Sequence, residues 1–182
     1  MTFRNLQAEL KLWQQNQKYA RQIMRKHTTQ QFGEFTICTG NAKYLKEIQR
    51  LHLHLFRDPI PRWLVWLYRF RASDLMTIAL DKNGKVAAYQ CFMMNEHEIS
   101  QHIIHEVYVA VSDSYQGKGL ATALRRFSIE SYDFGNLLAI STVARTNDIK
   151  ALRSAQKAGF TFEKMSVKPP GQYLIKHLSI MR

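Results

Sequence analysis

Residues 103–127, "IIHEVYVAVSDSYQGKGLATALRRF", run an apolar, β-branched stretch through a short loop straight into a helical pattern. The turn is tight, so the loop backbone must lie against the first turn of the helix. There the unpaired helical N–H groups and the helix dipole favour an anion. Gly117 and Gly119 let a backbone come close to a bulky anion without a Cβ in the way; the plain alternative is a tight strand-to-helix turn. Two other phosphate cradles do not fit. A Walker loop needs Ser or Thr after its lysine, and here Lys118 is followed by Gly119. A dinucleotide fingerprint needs a third glycine, which is absent. The loop therefore suits an anion bound without a metal.

The rest of the chain alternates short strands and helices. Residues 3–28 read as an amphipathic helix with Phe3, Leu6, Leu10, Trp13, Ala20 and Met24 on one side and Lys11, Lys18, Arg21 and Arg25 largely elsewhere. From Gly33 on, "EFTIC" suits a strand, "NAKYLKEIQRLHLHLF" a helix, and "PRWLVWLYRF" a second helix beyond the breaks at Pro59 and Pro61. The Asn83-Gly84 pair between two apolar runs predicts a β-hairpin. After the central loop, Leu120, Leu124 and Phe127 share a helical face, "NLLAISTVA" is a buried strand, and "NDIKALRSAQKAGF" is a helix capped by Asn147 and stopped by Gly159. "TFEKMSV" and "QYLIKHLSI" form a last strand pair around Pro169-Pro170-Gly171. This order predicts an α/β domain with a mixed sheet.

Charge narrows the partners. The formal net charge is +12, and residues 1–32 hold six Lys/Arg against one Glu. Such an excess favours nucleic acid, an acidic membrane surface or a polyphosphate. No apolar run approaches membrane-spanning length and charges interrupt the N-terminal stretch, so a cytoplasmic protein is expected. Cys38 and Cys91 stand apart in apolar segments and read as free thiols. His52 and His54 are two apart on a helix and do not face one another, so no metal site is expected. The N-terminal helix packs on its own domain or a second copy of the chain, or lies on a membrane surface.

Gln116-Gly117-Lys118-Gly119-Leu120-Ala121 matches the pattern Gln/Arg-x-x-Gly-x-Gly/Ala, and the later helix ends in Gly159-Phe160. On these residues the segment 33–182 resembles the GNAT acyltransferase superfamily, with residues 1–32 as an added basic helix. The resemblance implies a mixed, mostly antiparallel sheet flanked by helices, and acetyl-CoA as cosubstrate. It further implies that the amides from Gln116 to Ala121 wrap the CoA pyrophosphate. Main-chain groups of Val109, Ala110 and Val111 would hold the thioester and pantetheine, and Asn147 would touch the pantetheine arm. A main-chain N–H there would stabilise a developing oxyanion.

An acceptor amine with a pKa near ~10.4 is only about 0.1% neutral at neutral pH, so a base is expected. His105 lies eleven residues before Gln116, where histone-acetylating relatives carry a glutamate base. Glu106 is the carboxylate alternative, although strict alternation points it to the other sheet face unless a bulge intervenes. Many relatives place a tyrosine acid where this chain has Ala155; Ser154 beside it and Tyr173 are the substitutes. Trp63, Trp66, Tyr68 and Phe70 fall where the family builds its acceptor pocket. Two functions follow. One is an N-acetyltransferase with direct attack by a primary amine, which the basic surface permits to be anionic; the other is a non-catalytic module that senses acyl-CoA or docks on nucleic acid or membrane.

Overall fold

The central strand-loop-helix unit sits inside an eight-stranded sheet. The computed structural model describes residues 3–179, with side chains from Leu6 on. Phe3, expected on the apolar side of the first helix, and Ile180, expected at the end of the last strand, lie outside the described side chains. In chain order the elements are α1 (Phe3–Ala20), β1 (Thr29–Phe32), β2 (Phe35–Thr39), α2 (Leu45–Phe56), α3 (Arg62–Leu75), β3 (Met76–Leu80) and β4 (Val86–Met93). There follow α4 (Glu96–Ile99), β5 (Ile103–Val111), α5 (Leu120–Tyr132), β6 (Ala139–Ala144), α6 (Ile149–Lys157), β7 (Thr161–Val167) and β8 (Pro170–His177). The sheet order is β1-β2-β3-β4-β5-β6-β8-β7. Every neighbouring pair is antiparallel except β5 and β6.

Alternation along the strands, shifted once by an extra residue in β5 at Val107, sorts the two faces. Glu106 and Gln90 point toward α5, where Arg125 and Ser128 meet them. Tyr89 and Tyr108 point the other way, onto His52 of α2. The core holds Ile48, Leu67, Tyr68, Leu75 and Ile78 on one side and Phe92, Leu120, Leu124 and Phe127 on the other, all buried.

The N-terminal region departs from the amphipathic reading in three ways. Helix α1 ends at Ala20 rather than near residue 28, and Thr29–Phe32 form a strand that pairs with β2 across a turn at Gly33, whose φ is 58°. Leu6, Leu10 and Met24 are exposed, while Trp13 and Ala20 of the expected apolar side pack on the core and polar residues help dock the helix. Asn16 is buried; it accepts from the Met94 N–H at 2.6 Å and donates to the Met94 carbonyl at 3.1 Å. Arg25, expected on the solvent side, is buried. Its guanidinium donates to the Met76 carbonyl at 2.7 Å, to Ser131 at 3.0 Å and to Thr77, and lies 4.4 Å from the centroid of the Tyr132 ring. Five donors in a planar fork can satisfy several carbonyls and hydroxyls at once, which is what makes such burial tolerable. Helix α4 was not anticipated, because four residues carry too little periodicity to announce a helix.

Candidate active site

The loop adopts the conformation its glycines permit. Gly117 and Gly119 have φ of 80° and 83°, the left-handed region that residues with a Cβ rarely enter. Gly119 is the N-cap of α5, so the first-turn N–H groups of that helix open toward the loop. A cleft of about 520 Å³ lies there. Among the expected cofactor residues, Val109, Ala110, Val111, Gln116, Gly117, Gly119, Leu120 and Ala121 line it. Lys118 does not; its ammonium pairs with Glu34 on the β1–β2 hairpin at 2.6 Å and lies 5.4 Å from the Tyr115 ring centroid. Asn147 is exposed and outside the lining.

The cap of α6 needs correcting. Asp148, not Asn147, is the N-cap; its Oδ1 accepts from the Ala151 N–H at 2.9 Å. Asn and Asp cap equally well, so a one-residue choice between neighbours has no sequence signal. Asp148 also lines the cleft, as do Lys150, Arg153 and Lys157, which the motif did not single out. The three basic side chains outnumber Asp148, so the lining carries an excess of positive charge, which favours an anion.

The sheet parts beside this cleft. Parallel pairing of β5 with β6 runs only from Ile103↔Ala139 to Glu106↔Thr142. Pairing of β5 with β4 continues to Val111↔Ala88. Beyond Glu106 the β6 side of β5 therefore has no strand partner among the described residues. Alternate N–H and C=O groups of 107–111 face that side without a strand, the Val111 carbonyl accepting only from Gln116 Nε2 at 3.5 Å, and open main-chain groups are strong hydrogen-bonding groups that call for a partner. A register shift falls at the same place, since Phe92 opposes Glu106 and Cys91 opposes Tyr108, leaving Val107 as the extra residue.

The bulge comes after Glu106, so the alternation between His105 and Glu106 holds. Glu106 is buried on the α5 face. Its Oε1 accepts from Arg125 Nη2 at 2.6 Å, its Oε2 from Arg125 Nε at 3.0 Å, and Gln90 and Thr142 donate to it at 2.5 and 3.0 Å. Burial works to raise its pKa, but the Arg125 charge and these bonds outweigh burial and hold it below the ordinary carboxylate value. Ser154 lines the cleft and belongs to the same network: it donates to the Ala151 carbonyl at 3.0 Å and accepts from Arg125.

His105 lies on the opposite face, in a second polar cluster. Its Nδ1 is 2.7 Å from Ser141 Oγ and 3.6 Å from Glu98 Oε1. Glu98, on α4, also accepts from Ser141 and, at 2.6 Å, from the Tyr173 hydroxyl, while Asn95 donates to its second oxygen at 2.5 Å. Burial opposes ionisation of Glu98, yet the neighbouring His105, with the Ser141 and Tyr173 bonds, brings its pKa down to about 2. Tyr173, buried and bound to Glu98, is pushed well up and stays protonated. Glu98 escaped sequence reasoning because it sits outside every motif and reaches its partners only through the fold.

The aromatic run divides. Tyr68 is buried and donates to the Phe92 carbonyl at 3.1 Å, whereas Trp66 and Phe70 are exposed and stack with centroids 6.4 Å apart. The aromatics at the cleft are Phe56 and Tyr115, with Tyr108 behind Phe56 at 6.0 Å. His52 and His54 separate as expected, one against Tyr89 at 2.5 Å and the other against Asp113 at 2.9 Å. Among the described residues no helix is long and apolar enough to cross a membrane.

A mostly antiparallel sheet that parts beside a glycine-lined helix mouth defines an α/β acyltransferase fold. The chain matches the family model described as "Acetyltransferase (GNAT) family" over residues 44–160, and it belongs to that family of acyltransferases. No curated protein matches it. Solved structures share the fold at low identity. Ard1 from Thermoplasma volcanium superposes with a TM-score of 0.66 at 15% identity, over 80% of this chain and 98% of that one. The putative acetyltransferase yncA from Salmonella typhimurium, solved with acetyl-CoA, gives 0.65 at 17% over 81% and 95%. Spermidine N-acetyltransferase from Vibrio cholerae, in complex with CoA and spermine, gives 0.61 at 15% over 80% and 96%.

Proposed function

We propose that this chain is an acetyl-CoA-dependent N-acetyltransferase whose acceptor, a primary amine, attacks directly in a ternary complex. The observation that carries the reading is the open β6-side edge of 107–111 running into a glycine loop at a helix N-terminus. The residues present fit the carrier. Left-handed Gly117 and Gly119 leave no Cβ over the loop amides, and Lys150, Arg153 and Lys157 supply positive charge for phosphates. Bound there, acetyl-CoA supplies an activated acetyl thioester. The loop amides and the three basic side chains bind its phosphates, and the open main chain of β5 orients the rest. Neither Cys38 nor Cys91 lines the cleft, which favours a reaction without a covalent enzyme intermediate.

His105 is the base. It sits one residue before the last β5–β6 pair, at the point where the strands part, and its Nε2 makes no hydrogen bond within the described residues. Glu106 is less suited, because both of its oxygens are taken by Arg125. Ser154 and Tyr173 have each committed their single proton, to Ala151 and Glu98 respectively, so the thiolate leaves without help from either.

The test combines binding and turnover. Calorimetric titration should show acetyl-CoA binding, and thiol release should then depend on one member of an amine panel. The panel includes polyamines, peptide N-termini, amino sugars and aminoacyl-tRNA. His105→Gln should lower kcat by about 10²–10⁴-fold with acetyl-CoA affinity within about twofold. Binding without any amine-dependent release would turn the reading to an acyl-CoA sensor.

A further inference from the structure

We infer that Glu98 is a positioning residue which, through Ser141, fixes the His105 proton on Nδ1 and leaves Nε2 unprotonated to accept a proton. The inference rests on the base reading of His105 and extends it to a residue on a different element. It follows from counting protons. An ionised carboxylate only accepts, so every group bonded to Glu98 must donate. Ser141 has one hydroxyl proton, and it goes to Glu98 Oε1. The Ser141 oxygen is then left to accept, and the group within reach is His105 Nδ1 at 2.7 Å. Nδ1 must carry the hydrogen. In a neutral imidazole the other nitrogen is then bare, which is the form a general base requires.

Tyr173 completes the arrangement. Its one proton also goes to Glu98 Oε1, at 2.6 Å, and Asn95 Nδ2 donates to Oε2, so both carboxylate oxygens accept from donors that leave the Ser141 proton directed at Oε1. Among the described residues the titratable groups facing the cluster are Glu98 from α4, His105 from β5 and Tyr173 from β8. Lys164 and Glu163 of β7 lie beyond Tyr173, with the Lys164 ammonium 5.0 Å from its ring centroid. A carboxylate that touches its histidine through an intervening hydroxyl has the same logic as one that touches it directly: it selects the tautomer, orients the ring and stabilises the imidazolium once formed. Glu98 has 1% of its side chain exposed and His105 13%, so water cannot readily replace either link.

Two readouts test this on the full chain. The first needs no acceptor: ¹⁵N histidine spectra, recorded where His105 is neutral, should show the Nδ1–H tautomer in the wild type. In Ser141→Ala that preference should be lost. The second is kinetic. Glu98→Gln should lower kcat by about 10- to 100-fold with the KM for acetyl-CoA unchanged, and in a His105→Gln background the same change should cost less than about twofold, since residues acting as a unit are not additive. A wild-type Nε2–H tautomer overturns the inference. So does an equal kinetic loss in both backgrounds, which would make Glu98 merely structural. Full activity in His105→Gln would instead overturn the base reading and leave the tautomer result to judge the relay by itself.

Discussion

Replacing Arg125 by methionine is expected to destabilise the fold by about 3–5 kcal/mol, the largest stability effect of any single substitution considered for this chain. The cause is the partner left behind. Arg125 and Glu106 have side chains 2% and 1% exposed, and the guanidinium makes three contacts to the carboxylate. Removing the cation leaves a carboxylate in the sheet's interior with only Gln90 and Thr142 donating. Urea unfolding should therefore show Arg125→Met well below wild type, with Arg125→Met/Glu106→Met recovering much of the loss. A single variant within about 1 kcal/mol of wild type would mean that the pair is not held as described. The pH dependence has a definite sign. Glu106 has a depressed folded pKa, so its contribution is present above the ordinary carboxylate value and is lost as pH falls through the folded one. In Arg125→Met the penalty of a buried charge should shrink on acidification, because protonation removes the charge. The gap between wild type and variant should accordingly narrow toward low pH.

This pair also shows where a sequence stops informing. The loop was legible because a residue type and a backbone conformation coincide: glycines at 117 and 119 adopt positive φ, and a helix starts where the apolar spacing resumes. The Asn83-Gly84 hairpin and the Gly159 stop of α6 were legible for the same reason, each resting on a local requirement. The extent of α1 was not. Met24 continues the apolar spacing four residues after Ala20, but Arg25 finds carbonyls and hydroxyls of β3 and α5 inside the domain, and that gain lies in tertiary structure. His105 and Glu106 could be separated by alternation, yet their roles depend on Arg125, Ser141 and Glu98. Those partners lie 19, 36 and 7 residues away along the chain and are brought together by one crossover and one short helix. Local chemistry is readable from spacing; polar clusters that close between elements are readable only once the elements are placed.

The second large effect concerns binding rather than folding. Gly119→Val is expected to weaken acetyl-CoA binding by more than about 100-fold, roughly 3 kcal/mol, while leaving the chain folded. Space is not the obstacle: a Cβ at Gly119 meets only Phe32 Cζ at 3.6 Å, an ordinary contact. Conformation is. At a φ of 83° a β-branched residue costs about 1–2 kcal/mol, and the loop can relieve that strain by turning Gly119 toward negative φ, which rotates its amide away from the helix mouth. The fold then keeps α5, whose apolar face is buried independently by Leu120, Leu124 and Phe127, and loses the array of N–H groups that makes the mouth an anion site. Gly84 provides the control, since it has a φ of 73°, an open surround and a place in the β3–β4 turn away from the cleft. Gly84→Val should incur a similar backbone strain, visible as a comparable drop in melting temperature, with acetyl-CoA affinity unchanged. Equal affinity in wild type and Gly119→Val would remove the loop from the binding site; equal loss in both variants would trace the effect to stability. Loss confined to Gly119→Val would tie the carrier to the amides that Gly119 turns toward it.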